Sequence, residues 1–151
     1  MDIKISQMTE KDLNILKDIL IEKFDEFWSF NTLKEELACT NSYYIVAKEN
    51  NNIVGFAGIK KILDEVDLMN IVTQKSKRNF GIASMLLENL INKSIELGAS
   101  TMTLEVDESN SPALHLYEKY NFKKVGLRKK YYNGINNAVI MTKDLKVLQN
   151  N

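Results

Sequence analysis

Gln74-Lys75-Ser76-Lys77-Arg78-Asn79-Phe80-Gly81-Ile82-Ala83-Ser84 is the stretch whose reading decides the fold. Val66 to Val72, ahead of it, is an apolar, β-branched run that predicts a strand. Ile82 to about Leu97, behind it, predicts a long helix: Ile82, Met85, Leu86 and Leu90, with Leu87, Ile91 and Ile95 beside them, make a wide apolar face, and Gly98 closes it. The first-turn amides of such a helix have no internal partners and lie at the positive end of its dipole, so a loop wrapping this terminus can hold a pyrophosphate. Gly81 and Ala83 permit close approach, and Arg78 can add a cationic contact.

Working outward toward the N-terminus, Glu49-Asn50-Asn51-Asn52 separates two β-branched and aromatic runs, Tyr43 to Lys48 and Ile53 to Lys60. Asn tolerates positive φ, so these runs predict a hairpin. A short helix starting near Asn31 or Thr32 is expected before it, with Leu33 and Leu37 inward and Glu35 and Glu36 near its positive end; Phe27, Trp28 and Phe30 form the link. Thr9 and Asp12 read as an N-cap and its partner for a helix carrying Leu13, Leu16, Ile19, Leu20 and Phe24, and Ile3 and Ile5 as a first strand.

Toward the C-terminus, Thr101 to Val106 is a strand, and Asn110-Ser111-Pro112 opens a helix whose face is Ala113, Leu114, Leu116, Tyr117 and Tyr120, stopping near Asn121. Phe122 to Lys130 and Ala138 to Leu145 read as closing strands around a Tyr131-Tyr132-Asn133-Gly134 turn, and the last residues as frayed. The order β-α-α-β-β-β-α-β-α-β-β is an α/β chain with a mixed sheet and helices on both faces. No repeat or linker interrupts it, so a single domain over 1–151 is expected.

Composition narrows the chemistry. The chain has one Cys and one His, so an internal disulfide is excluded, a Cys/His zinc cluster lacks ligands, and no metal site is expected. Lys and Arg number 20, as do Asp and Glu, and this balance argues against nucleic-acid binding through a basic field over the whole molecule. The N-terminus mixes charges from the start, and no run of about 18 apolar residues occurs, so a cytoplasmic protein that neither spans a membrane nor carries an export signal is expected. Cys39 reads as a small residue at a helix end and His115 as a surface residue.

A second constellation is Leu104-Glu105-Val106 followed by Asn110, Ala113 and Leu116-Tyr117. Glu105 interrupts an apolar strand and must point to solvent or into a cleft, while Tyr117 shares a helix face with Ala113 and Leu114. With the loop, these residues resemble the GCN5-related N-acetyltransferase (GNAT) superfamily, whose cofactor motif runs Gln or Arg, two residues, Gly, one residue, Gly or Ala; Arg78, Gly81 and Ala83 occupy it. Asn110, Ala113, Tyr117 and Phe122 match the family's second cofactor segment. Within the superfamily the chain is most similar to bacterial ribosomal-protein-alanine N-acetyltransferases, through Phe27-Trp28-Ser29, Leu68-Met69-Asn70-Ile71-Val72, Leu104-Glu105-Val106 with Asn110 and Tyr117, Arg128-Lys129-Lys130-Tyr131-Tyr132 and Ala138-Val139-Ile140-Met141.

The resemblance implies the GNAT acyl-CoA N-acyltransferase fold, acetyl-CoA as co-substrate, and an N-terminal alanine of a small-subunit ribosomal protein as acceptor. It implies Glu105 as proton acceptor, Tyr117 as proton donor, Asn110 as a contact to the pantetheine arm, Ile71, Val72 and Thr73 as the strand edge beside the acetyl group, and Asn79, Phe80, Gly81, Ile82, Ala83 and Ser84 as the pyrophosphate wrap. The chemistry suits those types. An α-amine with a pKa of about 7.7 to 8.0 arrives mostly protonated and needs a base, the leaving thiolate needs an acid, and a free amide near Val72 can stabilise an oxyanion. Asp64, Glu65 and Asp67 are candidates for holding a basic acceptor tail. A small amine, an antibiotic, a protein lysine, or a non-catalytic acyl-CoA sensor are alternatives; a monomer or weak dimer without direct nucleic-acid contact is expected. The chain departs from the pattern at Arg78, where Gln is common, at Ala83, at Gln74-Lys75, where Asp-Pro is common, and at Asn121, where Gly usually precedes the Phe.

Overall fold

The computed structural model describes residues 2–24, 29–132 and 134–146. Phe27 and Trp28 of the expected link, Asn133 of the expected turn, and the last residues, 147–151, lie outside the described residues, as does the side chain of Tyr132. The elements are β1 Ile3–Gln7, α1 Glu10–Lys23, α2 Phe30–Ala38, β2 Ser42–Glu49, β3 Asn52–Ile62, β4 Glu65–Thr73, a 3-10 turn at Lys75–Lys77, α3 Ile82–Glu96, β5 Thr101–Asp107, α4 Ser111–Lys119, β6 Lys123–Tyr132 and β7 Asn136–Asp144. This is the expected element order, and its seven strands hydrogen-bond in the order β1-β2-β3-β4-β5-β7-β6. Two compact units are present, Met1–Lys61 with Leu68–Lys93, and Ile62–Asp67 with Ser94–Asn151; β4 and α3 contribute to both.

In the first unit, β1, β2 and β3 are antiparallel neighbours. Asn50 and Asn51, at φ 51° and 68°, make the turn between β2 and β3, the left-handed pair a tight hairpin requires. Register shifts between Ala47 and Lys48, so that Val54 is an extra residue on β3 and Ile53 joins Val46 and Phe56 on one side. That side is buried with Met8, Leu13, Leu16, Leu20, Phe24 and Leu33, so α1 and α2 cover it. Gly55 faces the other way: a Cβ there would meet Ile82 and Leu86 of α3 at 3.1 and 3.2 Å. Helices therefore lie on both faces of this unit's sheet. The Tyr44 ring occupies the space over Gly58, where a Cβ would stand 2.2 Å from it.

Capping explains where the helices begin. Thr9 and Asp12 form the expected capping box of α1, and Lys48 Nζ reaches Asp12 Oδ1 at 2.7 Å. α2 starts earlier than expected, at Phe30, because the Ser29 hydroxyl accepts the Thr32 amide at 3.2 Å. Glu35 and Glu36 consequently sit past the first turn and gain little from the dipole. Cys39 is the C-cap of this helix, its thiol donating to Glu35 O at 3.4 Å.

In the second unit, Glu65–Asp67 of β4 runs parallel to Thr101–Thr103 of β5, which is antiparallel to β7, itself antiparallel to β6. Alternation in β5 buries Met102, Leu104 and Val106 and turns Thr103, Glu105 and Asp107 to the other side. Asn110 caps α4, accepting the Ala113 amide at 3.2 Å, and Asn121, at φ 69°, supplies the left-handed residue after the helix that Gly supplies in the family pattern. Lys143 is buried and donates to Tyr120 O at 2.6 Å, a helix-end carbonyl, and its burial pushes the ammonium below the ordinary lysine value. β6 runs through Tyr131 and Tyr132, which the sequence placed in the turn.

Candidate active site

The loop after β4 is built by its backbone. Gln74 N donates to Val54 O at 2.8 Å, continuing the β3 contact past the end of β4. The 3-10 turn follows, anchored where Lys77 Nζ reaches Glu49 Oε1 at 2.8 Å. Arg78 is extended, Asn79 and Gly81 take positive φ of 68° and 81°, and Phe80 between them is exposed. Gly81 O accepts the Met85 amide at 3.1 Å, which makes Gly81 the N-cap of α3. An ordinary N-cap side chain would fold back onto the first-turn amides. Glycine has none, and a Cβ built at Gly81 meets no atom within 4 Å. The helix start, Ile82-Ala83-Ser84, thus presents amides that no residue-81 side chain occupies. Upstream, Val72 is buried, Ile71 and Thr73 are half-buried, and Asn70 Nδ2 is buried with no hydrogen-bond partner among the described residues.

In the second unit, Glu105 lies on the side of β5 opposite the buried Leu104 and Val106. Arg128 Nη2 meets Glu105 Oε1 at 2.7 Å, and the guanidinium stands over the Tyr131 ring, 4.9 Å from its centroid. Asp67, opposite Thr103, is on the same face; burial pushes its carboxyl above the ordinary value, and the charges of Glu65 and Glu105 add to that. Asp107 is held below the ordinary value by the Ser109 amide foremost, with the Ser109 hydroxyl and Asn136 assisting against a smaller opposing effect of burial. Tyr117 is 5% exposed and packs edge-on against Phe122 at 5.7 Å between ring centroids. His115 is exposed, as expected.

Asn110 and Tyr117 thus lie at the two ends of α4, and Glu105 on the strand before it; Ile71 to Thr73 and Arg78 to Ser84 belong to one strand–loop–helix segment. Of the three acids proposed for a basic tail, Asp64 is spent locally, its carboxylate and carbonyl accepting from Ser100, whereas Glu65 and Asp67 share the Glu105 face. Sequence reasoning gave no role to Arg128 or Asn70. Arg128 lies 23 residues from Glu105, and only the β5-β7-β6 register brings the two together.

The acetyltransferase (GNAT) family model matches residues 13–122. The chain is 41% identical to the ribosomal protein bS18-alanine N-acetyltransferase of Haemophilus influenzae over 91% of its own length and 95% of that protein's. It is 36% identical to the corresponding Haemophilus ducreyi enzyme over 91% and 97%. The crystal structure of the ribosomal-protein-S18-alanine N-acetyltransferase from Escherichia coli superposes with a TM-score of 0.86 at 29% identity, covering 95% of this chain and 94% of that one. The seven mixed strands and four helices are thus those of the acetyltransferase fold. A helix start uncapped by residue 81 fits the phosphates of coenzyme A, and the unspent Asn70 donor fits a ligand rich in carbonyl acceptors. Among the described residues no group of three or more His, Cys, Asp or Glu could hold a metal ion, and no helix is long and apolar enough to cross a membrane. From the family match over most of its length, the chain belongs to the acetyltransferase (GNAT) family and is an acetyl-CoA-dependent N-acetyltransferase.

Proposed function

We propose that the protein acetylates the α-amine of an N-terminal alanine on a small-subunit ribosomal protein, acting in the cytoplasm as one domain and as a monomer or weak dimer. The observation that carries this reading is the 41% identity, over nearly the full length of both chains, to an enzyme named for that acceptor.

In this reading Asn79 to Ser84 bind the pyrophosphate through backbone amides, with Arg78 adding charge, while Ile71, Val72 and Thr73 line the acetyl group and Asn110 contacts the pantetheine arm. Acetyl-CoA supplies the acetyl group as a thioester. Glu105 is the proton acceptor for the acceptor's ammonium, which has no lone pair until that proton leaves. Tyr117 is the proton donor to the departing sulfur; it is buried, so its proton is kept from bulk water. Glu65 and Asp67, on the Glu105 face, are suited to basic residues behind the acceptor's N-terminus.

Thiol release from acetyl-CoA tests the reading, with a short peptide beginning Ala-Arg as acceptor against the same peptide with its α-amine blocked and one lysine free. Release with the free N-terminus alone is the expected result. Equal release with both peptides would replace α-amine specificity by general amine transfer, and silence with both would move the acceptor to a small molecule.

A further inference from the structure

Glu105 and Arg128 lie on strands that are not neighbours. Glu105 pairs with Ile140 of β7, and Arg128 with Ala138 of the same strand, so β7 stands between them and their backbones are about 10 Å apart by the usual strand spacing. Only a long side chain closes that distance. Arg128 does so across β7, reaching Glu105 Oε1 at 2.7 Å with the Tyr131 ring under its guanidinium. Its side chain is 55% exposed and that of Glu105 30%, and ion pairs that open to water add little to stability.

The face around Glu105 carries more acids than bases. Glu65 and Asp67 stand on it from β4, opposite Thr101 and Thr103, and Asp107 stands on it from β5, tied to Ser109 and Asn136. From β7 it receives Ala138, Ile140 and Thr142, none of them charged, and Asp144, opposite Thr101 at the far end of the strand; from β6 it receives Lys123, opposite Thr142, besides Arg128. Among the described residues Arg128 is thus the cation that touches Glu105, and it holds one carboxylate oxygen, Oε1.

We infer that Arg128 is a positioning residue for the transfer reaction: it fixes the Glu105 carboxylate in one orientation, so that the acceptor's proton passes to Oε2. The inference rests on the reading of Glu105 as the proton acceptor.

The test is kcat and both KM values with acetyl-CoA and Ala-Arg peptide for the wild type, Arg128→Met, Arg128→Lys and Glu105→Gln, with thermal unfolding of each. Arg128→Met keeps the apolar stem without the charge. It is expected to lower kcat about tenfold and leave both KM values within about twofold, with the unfolding temperature unchanged. Arg128→Lys is expected to return most of the lost kcat. A kcat that does not fall in Arg128→Met, or a lysine variant no better than the methionine one, would overturn the inference. Turnover persisting in Glu105→Gln would instead remove the proton-acceptor reading, and the role of Arg128 with it; an inactive Glu105→Gln beside an unchanged kcat in Arg128→Met would remove the role of Arg128 alone.

Discussion

The loop between β4 and α3 and the strand–helix pair β5 and α4 are built on different principles. The first places its groups by backbone conformation: Asn79 and Gly81 hold positive φ, and the N-cap of α3 has no side chain at all. The second places them by side chain: Glu105 on an alternating strand with a long arginine drawn to it, Asn110 as a cap, Tyr117 packed edge-on against Phe122. An amide cradle suits a phosphate, which is bound and not transformed, because amide donors stay charged with partial positive dipole at every pH. A proton transfer needs groups that titrate, and only side chains do. The difference therefore predicts which changes alter KM and which alter kcat.

The largest effect is expected on the side-chain region. Glu105→Gln keeps the size of the residue and removes the proposed base, and should lower kcat by a hundredfold or more, within the range of general base catalysis, with the KM for acetyl-CoA little changed. Tyr117→Phe should lower kcat by about tenfold. The phenylalanine ring can keep the edge-on contact to Phe122. Steady-state kinetics on both variants checks this, and a rise in KM for acetyl-CoA with unchanged kcat would erase the division.

Gly81→Val probes the backbone region. A β-branched residue at φ 81° carries strain of about 1 to 3 kcal/mol. A Cβ there meets no atom within 4 Å, so the loop has room to keep its path while the valine methyls obstruct a phosphate's approach to the first-turn amides of α3. The expected outcome is a rise of about tenfold in KM for acetyl-CoA, the loss of one charge-assisted contact or so, with kcat at saturation within about twofold. A fall in kcat at unchanged KM would put the loop among the side-chain-built parts.

Legibility in the sequence followed the same division. The loop, the Asn50–Asn51 hairpin and the Thr9–Asp12 box are local, written within a few consecutive residues, and each formed as read. Glu105 was readable as outward-facing because β5 alternates strictly. Its partner was not, since β6 shifts register between Lys124 and Gly126 and no pattern within β6 says which residue comes to lie opposite Ala138. Tyr44 over Gly58 is likewise a consequence of register, joining residues on two strands. The start of α2 was misread by one or two residues because Ser29, Asn31 and Thr32 are all capping types, and the choice among them depends on where the chain arrives from.

The Asp12–Lys48 pair belongs to neither region, and altering it should separate stability from catalysis. Burial alone would raise the Asp12 carboxyl, but the Lys48 ammonium, the Thr9 amide and the Thr9 hydroxyl outweigh it and hold the group below its ordinary value. A carboxyl that ionises at lower pH in the folded chain stabilises fully above the unfolded value, near 3.9, and loses that contribution as pH falls through the folded one. Asp12→Asn should therefore cost about 1 kcal/mol at pH 7, or an unfolding temperature about 2 to 4 °C lower, and the gap should close as pH falls below about 4. The kcat should not move. A gap that persists at pH 3 would mean the cost lies in the cap geometry and not in the charge.

The smallest effect expected is also the sharpest check on the comparison. Phe80 sits at the centre of the loop between β4 and α3, between the two positive-φ residues, and is 60% exposed. A loop that binds through side chains would lose most from cutting back its largest one, and the loss of an aromatic contact would be worth about 1 kcal/mol or more, several-fold in KM. A loop that binds through amides keeps every donor in Phe80→Ala, because Asn79 and Gly81 still set the path of the backbone. The variant should therefore leave the KM for acetyl-CoA within about twofold, well inside the effect of Gly81→Val at the adjacent position. An equal or larger rise for Phe80→Ala would show that the ring, and not the amides at the start of α3, carries the affinity.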